Sequence, residues 1–141
     1  MTYRIIPDFD GRVARWISEK MGLGDNQLLS EALMAYAFVE DNKFLGALLF
    51  HNYEPKHAVW WTVCTVDKRW CNRRMLKQMF GLAFGLLECE RINLLVETDN
   101  AASLNFVKKL GFKIEGKLRR FSIKNKDCYI LGMLKEECRW I

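Results

Sequence analysis

The sequence has no apolar stretch long enough to cross a bilayer, and Met1–Asp10 lacks the basic flank and apolar core of a signal peptide. No repeat, low-complexity tract or Pro/Ser-rich linker interrupts the 141 residues, so a single domain over 1–141 is expected. The five cysteines, Cys64, Cys71, Cys89, Cys128 and Cys138, form no Cys-x-x-Cys pair and leave one over in any pairing. That favours free thiols in a reducing compartment over disulfides or a zinc site. Only two histidines are present, His51 and His57, with no further ligands at metal spacing, so no metal is expected. Together these absences lead to the expectation of a cytoplasmic protein with no membrane partner.

Half of the residues are hydrophobic and 13% are aromatic, enough apolar material for a real core. The formal net charge of +5 suits an anionic partner. Basic residues gather at Lys68, Arg69, Arg73, Arg74 and Lys77, and again from Lys108 to Arg120. A solvated face explains each cluster as well as a ligand does. Core packing is the default reading of Trp60, Trp61 and Trp70, and their mixing with basic residues does not rise above composition, so nucleic acid is not the expected partner.

Periodicity outlines the elements. Thr2–Ile6 reads as a strand, and Val13, Trp16, Ile17 and Met21 have helical spacing closed by Gly22-x-Gly24. Asp25–Ala35 reads as a second helix, Ala37–Val39 as a strand, and Phe44–Phe50 as an apolar strand covered on both faces. Ala58–Val66 is a further strand. A long amphipathic helix follows from Asn72 to about Glu88, whose Gly81 and Gly85 are read as letting it lie close on a sheet. Arg91–Glu97 is a strand. Asn100 then caps a short helix whose Leu104, Val107 and Leu110 form one stripe and which Gly111 ends. Strands at Lys113–Phe121 and Tyr129–Leu134 flank a polar Lys124-Asn125-Lys126-Asp127 turn. The order is β-α-α-β-β-β-α-β-α-β-β.

That order, with Asn100-x-x-Ser103 and Leu110-Gly111-Phe112-x-x-Glu115-Gly116-x-x-Arg119, resembles the GNAT acyltransferase superfamily over nearly the whole chain. It is most similar to the ribosomal-protein N-acetyltransferase-like branch. Arg69-Trp70, Arg73-Arg74 and the Gly132-Met133-Leu134 to Glu137-Cys138-Arg139-Trp140 ending look like small GNAT proteins of bacteriophages and prophages, which would place the chain in a host cytoplasm. The resemblance implies an α/β (α+β) GNAT fold, a mixed central sheet in which two parallel strands splay apart. It implies acetyl-CoA as co-substrate in that opening, its pantetheine arm along Val63, Cys64 and Thr65, with Asn100 and Ser103 beside the thioester. The pyrophosphate would meet the start of the long helix at Arg69, Cys71, Asn72, Arg73 and Arg74. The two small positions of the family's phosphate loop fall at about Trp70 and Asn72, and neither is glycine; the arginines would compensate with charge.

Acyl transfer to an amine also needs a polariser for the thioester oxygen, a base and a proton source for the departing thiolate. A backbone N–H near Val63–Thr65 is implied as polariser. The family's usual tyrosine proton donor corresponds to Val107, so Ser103 is the substitute. Glu97 and Asp99 at the strand end, and Glu54 and His57 in an earlier loop, are the candidate bases; Glu115 reads as part of a structural turn. Two functions follow. The first is N-acetyl transfer to a primary amine: a protein N-terminus, a lysine or a small metabolite. The alternative is a catalytically inactive GNAT-shaped binding or structural protein, such as a phage accessory or virion part. The apolar stretch Tyr129–Trp140 is read as an edge on which a second copy could pair to form a homodimer.

Overall fold

A computed structural model describes residues 2–8, 10–20 and 32–141. Among the described residues the strands are β1 (Tyr3–Pro7), β2 (Ala32–Glu40), β3 (Lys43–Glu54), β4 (Ala58–Thr65), β5 (Arg91–Glu97), β6 (Lys113–Leu118) and β7 (Cys128–Leu134). The helices are α1 (Arg12–Lys20), α2 (Arg73–Phe80) and α3 (Ala101–Leu110). The strands form one sheet in the order β1-β2-β3-β4-β5-β7-β6. Every neighbouring pair is antiparallel except β4 and β5.

Leu45–Phe50 is continuously buried because both faces of β3 are covered. On one face Ala14 and Ile17 of α1 form a cluster with Ala35, Ala47 and Leu49. The larger cluster on the other face joins Phe38, Leu48, Phe50, Val59, Trp61 and Ile92 to Met75, Met79 and Phe80 of α2. Gln78 of α2 also accepts from Ile5 N (3.1 Å) and donates to Tyr3 O (3.1 Å), which satisfies backbone groups on the outer edge of β1. All five cysteines are free.

Several expectations are corrected. Of the proposed second helix, 25–31 and the Gly22-x-Gly24 stop lie outside the described residues, whereas 32–35 belong to β2. Ladder pairing with β3 there overrides helix-favouring composition. The long helix is α-helical only to Phe80; Gly81–Leu86 widens into a π-helical turn in which Leu87 N donates to Leu82 O (2.9 Å). Gly81 and Gly85 do not serve close packing, since a methyl group built on either would have no neighbour within 4 Å among the described residues. Finally, Tyr129–Leu134 is no edge. The strand β7 is flanked by β5 and β6, so it offers no free ladder to a second copy.

A glycine with a real steric reason is Gly46. It faces Phe38 of β2 and Thr65 of β4 at a β-bulge, and a methyl group there would lie 2.7 Å from Thr65 Cα and 2.8 Å from Cys64 O. Gly132, on β7, lies under an ion pair between Arg91 of β5 and Glu115 of β6. Glu115 lies inside β6, at the irregular position between Ile114 and Gly116 where the strand shifts register, and not in the turn that sequence suggests.

Candidate active site

Among the described strands, the sheet parts at its one parallel pair. The strands β4 and β5 are in register at Ala58↔Arg91, Val59↔Ile92 and Trp60↔Asn93, and pairing stops there. Each strand stays bound to its outer neighbour to its end: β4 to β3 as far as Thr65, and β5 to β7 as far as Glu97. The result is an opening between residues 61–65 and 94–97.

Hydrogen-bond parity tells which β4 amides face that opening. His57 O accepts from Arg91 N (3.1 Å), so odd-numbered residues of β4 turn their backbone groups toward β5. Val66 N, of even parity, donates back to Leu45 O of β3 (2.9 Å). The N–H groups of Val63 and Thr65 therefore point into the gap beyond the last paired rung. Cys64 has the other parity; its amide belongs to the β3 ladder, and its side chain packs with the α1 cluster, where burial pushes the thiol pKa up.

On the β5 side, Asn100 accepts from Ser103 N (3.2 Å) and caps α3. Gly111 ends the helix in the left-handed region (φ 118°), with Phe112 N on Val107 O (3.1 Å). Ser103 stands at the head of the row Val107–Leu110 and is half-buried, while Val107 packs against the main core. Trp140 then donates from Nε1 to Leu110 O (2.9 Å), and the Arg139 guanidinium donates to Lys109 O, so the C-terminal tail satisfies carbonyls the helix leaves open.

The loop between β4 and α2 is largely closed on itself. Asp67 accepts from Arg69 N and forms an ion pair with the Arg69 guanidinium (2.9 Å), which holds the Asp67 carboxyl well below the usual carboxylate range. A second Arg69 nitrogen lies 3.4 Å from the buried Glu40 carboxylate, so Arg69 is already balanced by two acids. Trp70 N, Cys71 N and Asn72 N are spent on Asp67 O, Lys68 O and Trp70 O. Asn72 caps α2 by accepting from Met75 N (3.0 Å), leaving the first-turn N–H groups of Arg73 and Arg74 over. Trp70 is 6% exposed, stacked on Phe38 (centroids 4.8 Å) and edge-on to Phe106 of α3 (5.6 Å), so its indole is a strut between sheet and helix. Arg73 and Arg74 are exposed, and Arg73 lies over the Trp140 ring at 5.9 Å.

The candidate bases separate. Glu97, the last residue of β5, is half-buried, and its Oε2 is buried without a hydrogen-bond partner among the described residues. Asp99 is exposed and bound to Lys126 Nζ at 2.8 Å, which lowers its pKa and weakens it as a base. Glu54 and His57 flank the β3–β4 turn at the opposite end of β4, six or more residues from Val63 and so about 20 Å away at strand rise. They are not part of this constellation.

Sequence reasoning passed over Asp67, which immobilises Arg69, and the β6–β7 turn, whose Lys126 reaches Asp99. The Asp-x-Arg spacing at 67–69 was a usable signal for the first. Nothing local signals the second, because β5 and β7 meet only through the tertiary sheet. Among the described residues no group of three or more His, Cys, Asp or Glu side chains is arranged to hold a metal, and no helix is long and apolar enough to cross a membrane.

With this geometry, a family model described as Acetyltransferase (GNAT) domain matches residues 12–130. The L-amino acid N-acetyltransferase AaaT of Escherichia coli (strain K12) is 33% identical over 86 residues, covering 56% of this chain and 52% of that protein. The chain thus matches about half the length of this relative. Among solved structures, the dodecameric spermidine N-acetyltransferase of Vibrio cholerae superposes with a TM-score of 0.78 at 13% identity, over 95% of this chain and 94% of that one. Naa50 of Arabidopsis thaliana, in complex with the bisubstrate analogue CoA-Ac-MVNAL, superposes with a TM-score of 0.73 at 16% identity, over 94% and 99%. At these identities the two structures establish a shared fold.

Proposed function

This chain belongs to the GNAT acetyltransferase family, and on that premise we propose that it transfers the acetyl group of acetyl-CoA to a primary amine by direct attack. The observation that carries the proposal is the early end of the β4–β5 ladder, which leaves the Val63 and Thr65 amides aimed into an opening headed by Asn100 and Ser103. Two N–H donors held by a rigid strand suit a carbonyl oxygen that gains charge in the transition state. Glu97 takes the proton released by the ammonium. Its Oε2 has no competing hydrogen bond among the described residues, whereas Asp99 is engaged with Lys126. Ser103 gives a proton to the departing sulfur as the C–S bond breaks and the new C–N bond forms. Asn100 orders the head of the helix that carries Ser103.

The residues present fit a CoA pyrophosphate in a modified way. Arg73 and Arg74 supply two positive charges and two N–H groups uncommitted among the described residues at the N-terminus of α2, and Cys71 and Asn72 set the turn that leads into it. Arg69 contributes through Asp67 and Glu40 to the shape of that turn. Relatives named for acetylating L-amino acids and spermidine fit an amine acceptor; a protein N-terminus or lysine stays within the proposal. The Gly132-Met133-Leu134 and Glu137-Cys138-Arg139-Trp140 ending supports the finer likeness to small phage-type GNAT proteins acting in a host cytoplasm.

Thermal denaturation with acetyl-CoA tests this reading. A ligand at a hundredfold excess over its dissociation constant stabilises a native state by about 2.7 kcal/mol. Absence of a shift at millimolar acetyl-CoA returns the chain to the binding or structural alternative. Given a shift, Ser103→Ala is expected to depress turnover far more than affinity, and Arg73→Glu with Arg74→Glu to weaken acetyl-CoA binding. An equal loss of turnover and affinity for Ser103→Ala reassigns the hydroxyl to positioning.

A further inference from the structure

The turn between β6 and β7 is a cationic surface at the end of the sheet where β5 finishes. Lys117, Arg119, Arg120, Lys124 and Lys126 are all exposed. Two of them are engaged: Lys117 with Asp127 (3.6 Å) and Lys126 with Asp99 (2.8 Å). Arg119, Arg120 and Lys124 have no carboxylate within 4 Å among the described residues. Lys117, Leu118, Arg119, Arg120 and Asp127 line an open cavity of about 760 Å³.

The turn is fixed to the reactive end of the sheet. Thr98 N donates to Asp127 O (2.9 Å), Cys128 is in register with Glu97, and Lys126 clasps Asp99. Within the turn, Asp127 Oδ1 accepts from Arg120 N (2.8 Å) while Arg120 takes the left-handed conformation (φ 52°). The turn that carries the unpaired cations is therefore anchored at the end of β5, where Glu97 sits. Taken together, five cations there face three carboxylates, Glu97, Asp99 and Asp127. Such a field attracts an anion and repels a polycation.

We propose that the acceptor is an anionic amine, one with a carboxylate or phosphate near its amino group, and that Arg119, Arg120 and Lys124 read that charge. This rests on the acetyltransferase reading and narrows it. A polyamine, whose second ammonium would enter the cationic field, is selected against. The carboxylate or phosphate meets the guanidinium groups while the amine lies toward Glu97.

The test is calorimetric titration of four amines into the CoA-loaded protein: β-alanine, O-phosphoethanolamine, the neutral 3-amino-1-propanol and spermidine. Initial rates with acetyl-CoA, followed by thiol release, run in parallel. We expect at least one anionic amine to bind tenfold or more tighter than aminopropanol, with spermidine weakest. Whether β-alanine or phosphoethanolamine leads tells carboxylate from phosphate. In the Arg119→Glu/Arg120→Glu variant the order reverses, and Lys124→Glu moves it the same way. Equal affinity for anionic and neutral amines, a preference for spermidine, or an order the reversals leave unchanged overturns the proposal. Failure to load CoA refutes the acetyltransferase reading instead, and the same titrations into the protein alone still decide the charge preference.

Discussion

Gly46→Ala couples the fold to the site. The added methyl group would lie 2.7 Å from Thr65 Cα, 2.8 Å from Cys64 O and 2.9 Å from Thr65 Cγ2. Two of these atoms are backbone, so relief requires the end of β4 to move rather than a side chain to swing. Overpacking of this kind costs about 1–3 kcal/mol. For a chain of this size that corresponds to a fall in Tm of roughly 3–12 °C. The displaced atoms belong to the strand end that aims the Val63 and Thr65 amides, so KM for acetyl-CoA should rise and kcat should fall with it. Gly132→Ala is the matched control. Its methyl group would meet the Arg91 guanidinium and Glu115 carboxylate, the mobile ends of two long side chains in a partly exposed pair. Displacing such a pair costs about 1 kcal/mol or less. Differential scanning calorimetry and acetyl-CoA titration of both variants decide the matter. A Gly46→Ala protein with wild-type Tm and KM, or a Gly132→Ala protein hit harder than Gly46→Ala, refutes the reasoning.

Three further outcomes are expected. Asn72→Ala removes the acceptor for Met75 N at the head of α2 and should lower stability by about 1 kcal/mol in chemical denaturation. Trp140→Ala removes the bond to Leu110 O and the ring beneath Arg139 and Arg73; we expect a loss of about 1–3 kcal/mol and weaker acetyl-CoA binding, both measurable by calorimetry. Asp67, Asp99, Asp127 and Glu137 all have folded-state pKa values depressed, chiefly by Arg69, Lys126, the Arg120 N–H and Lys113 respectively. A depressed acid stabilises the fold above its unfolded pKa, and that stability is lost as pH falls through the folded value, so Tm should drop below about pH 4. Asp67→Asn should flatten that acid limb; an unchanged limb refutes the role given to the Asp67–Arg69 pair.

The short helix was legible to the residue, because a cap at Asn100, a stripe over Leu104–Leu110 and a left-handed stop at Gly111 are local devices. The strand Arg91–Glu97 was equally plain from its apolar run. Where reading failed, the deciding contact was distant. Ala32–Ala35 joined β2 because β3 offered a ladder, and Tyr129–Leu134 lost its edge because β6 folded back beside it. Arg69 looked like a phosphate ligand until Glu40, 29 residues earlier in the chain, turned out to share it with Asp67.

Composition and periodicity alone thus set most of the order of the described elements and the residue types at the opening, since capping, alternation and helical stripes are written within a few residues. Only the tertiary structure decided where the β4–β5 ladder stops, which amides that leaves unpaired, and which charges stand beside them. Each of those depends on strands far apart in sequence choosing their partners, and on the core packing that holds two of them side by side at one end and apart at the other.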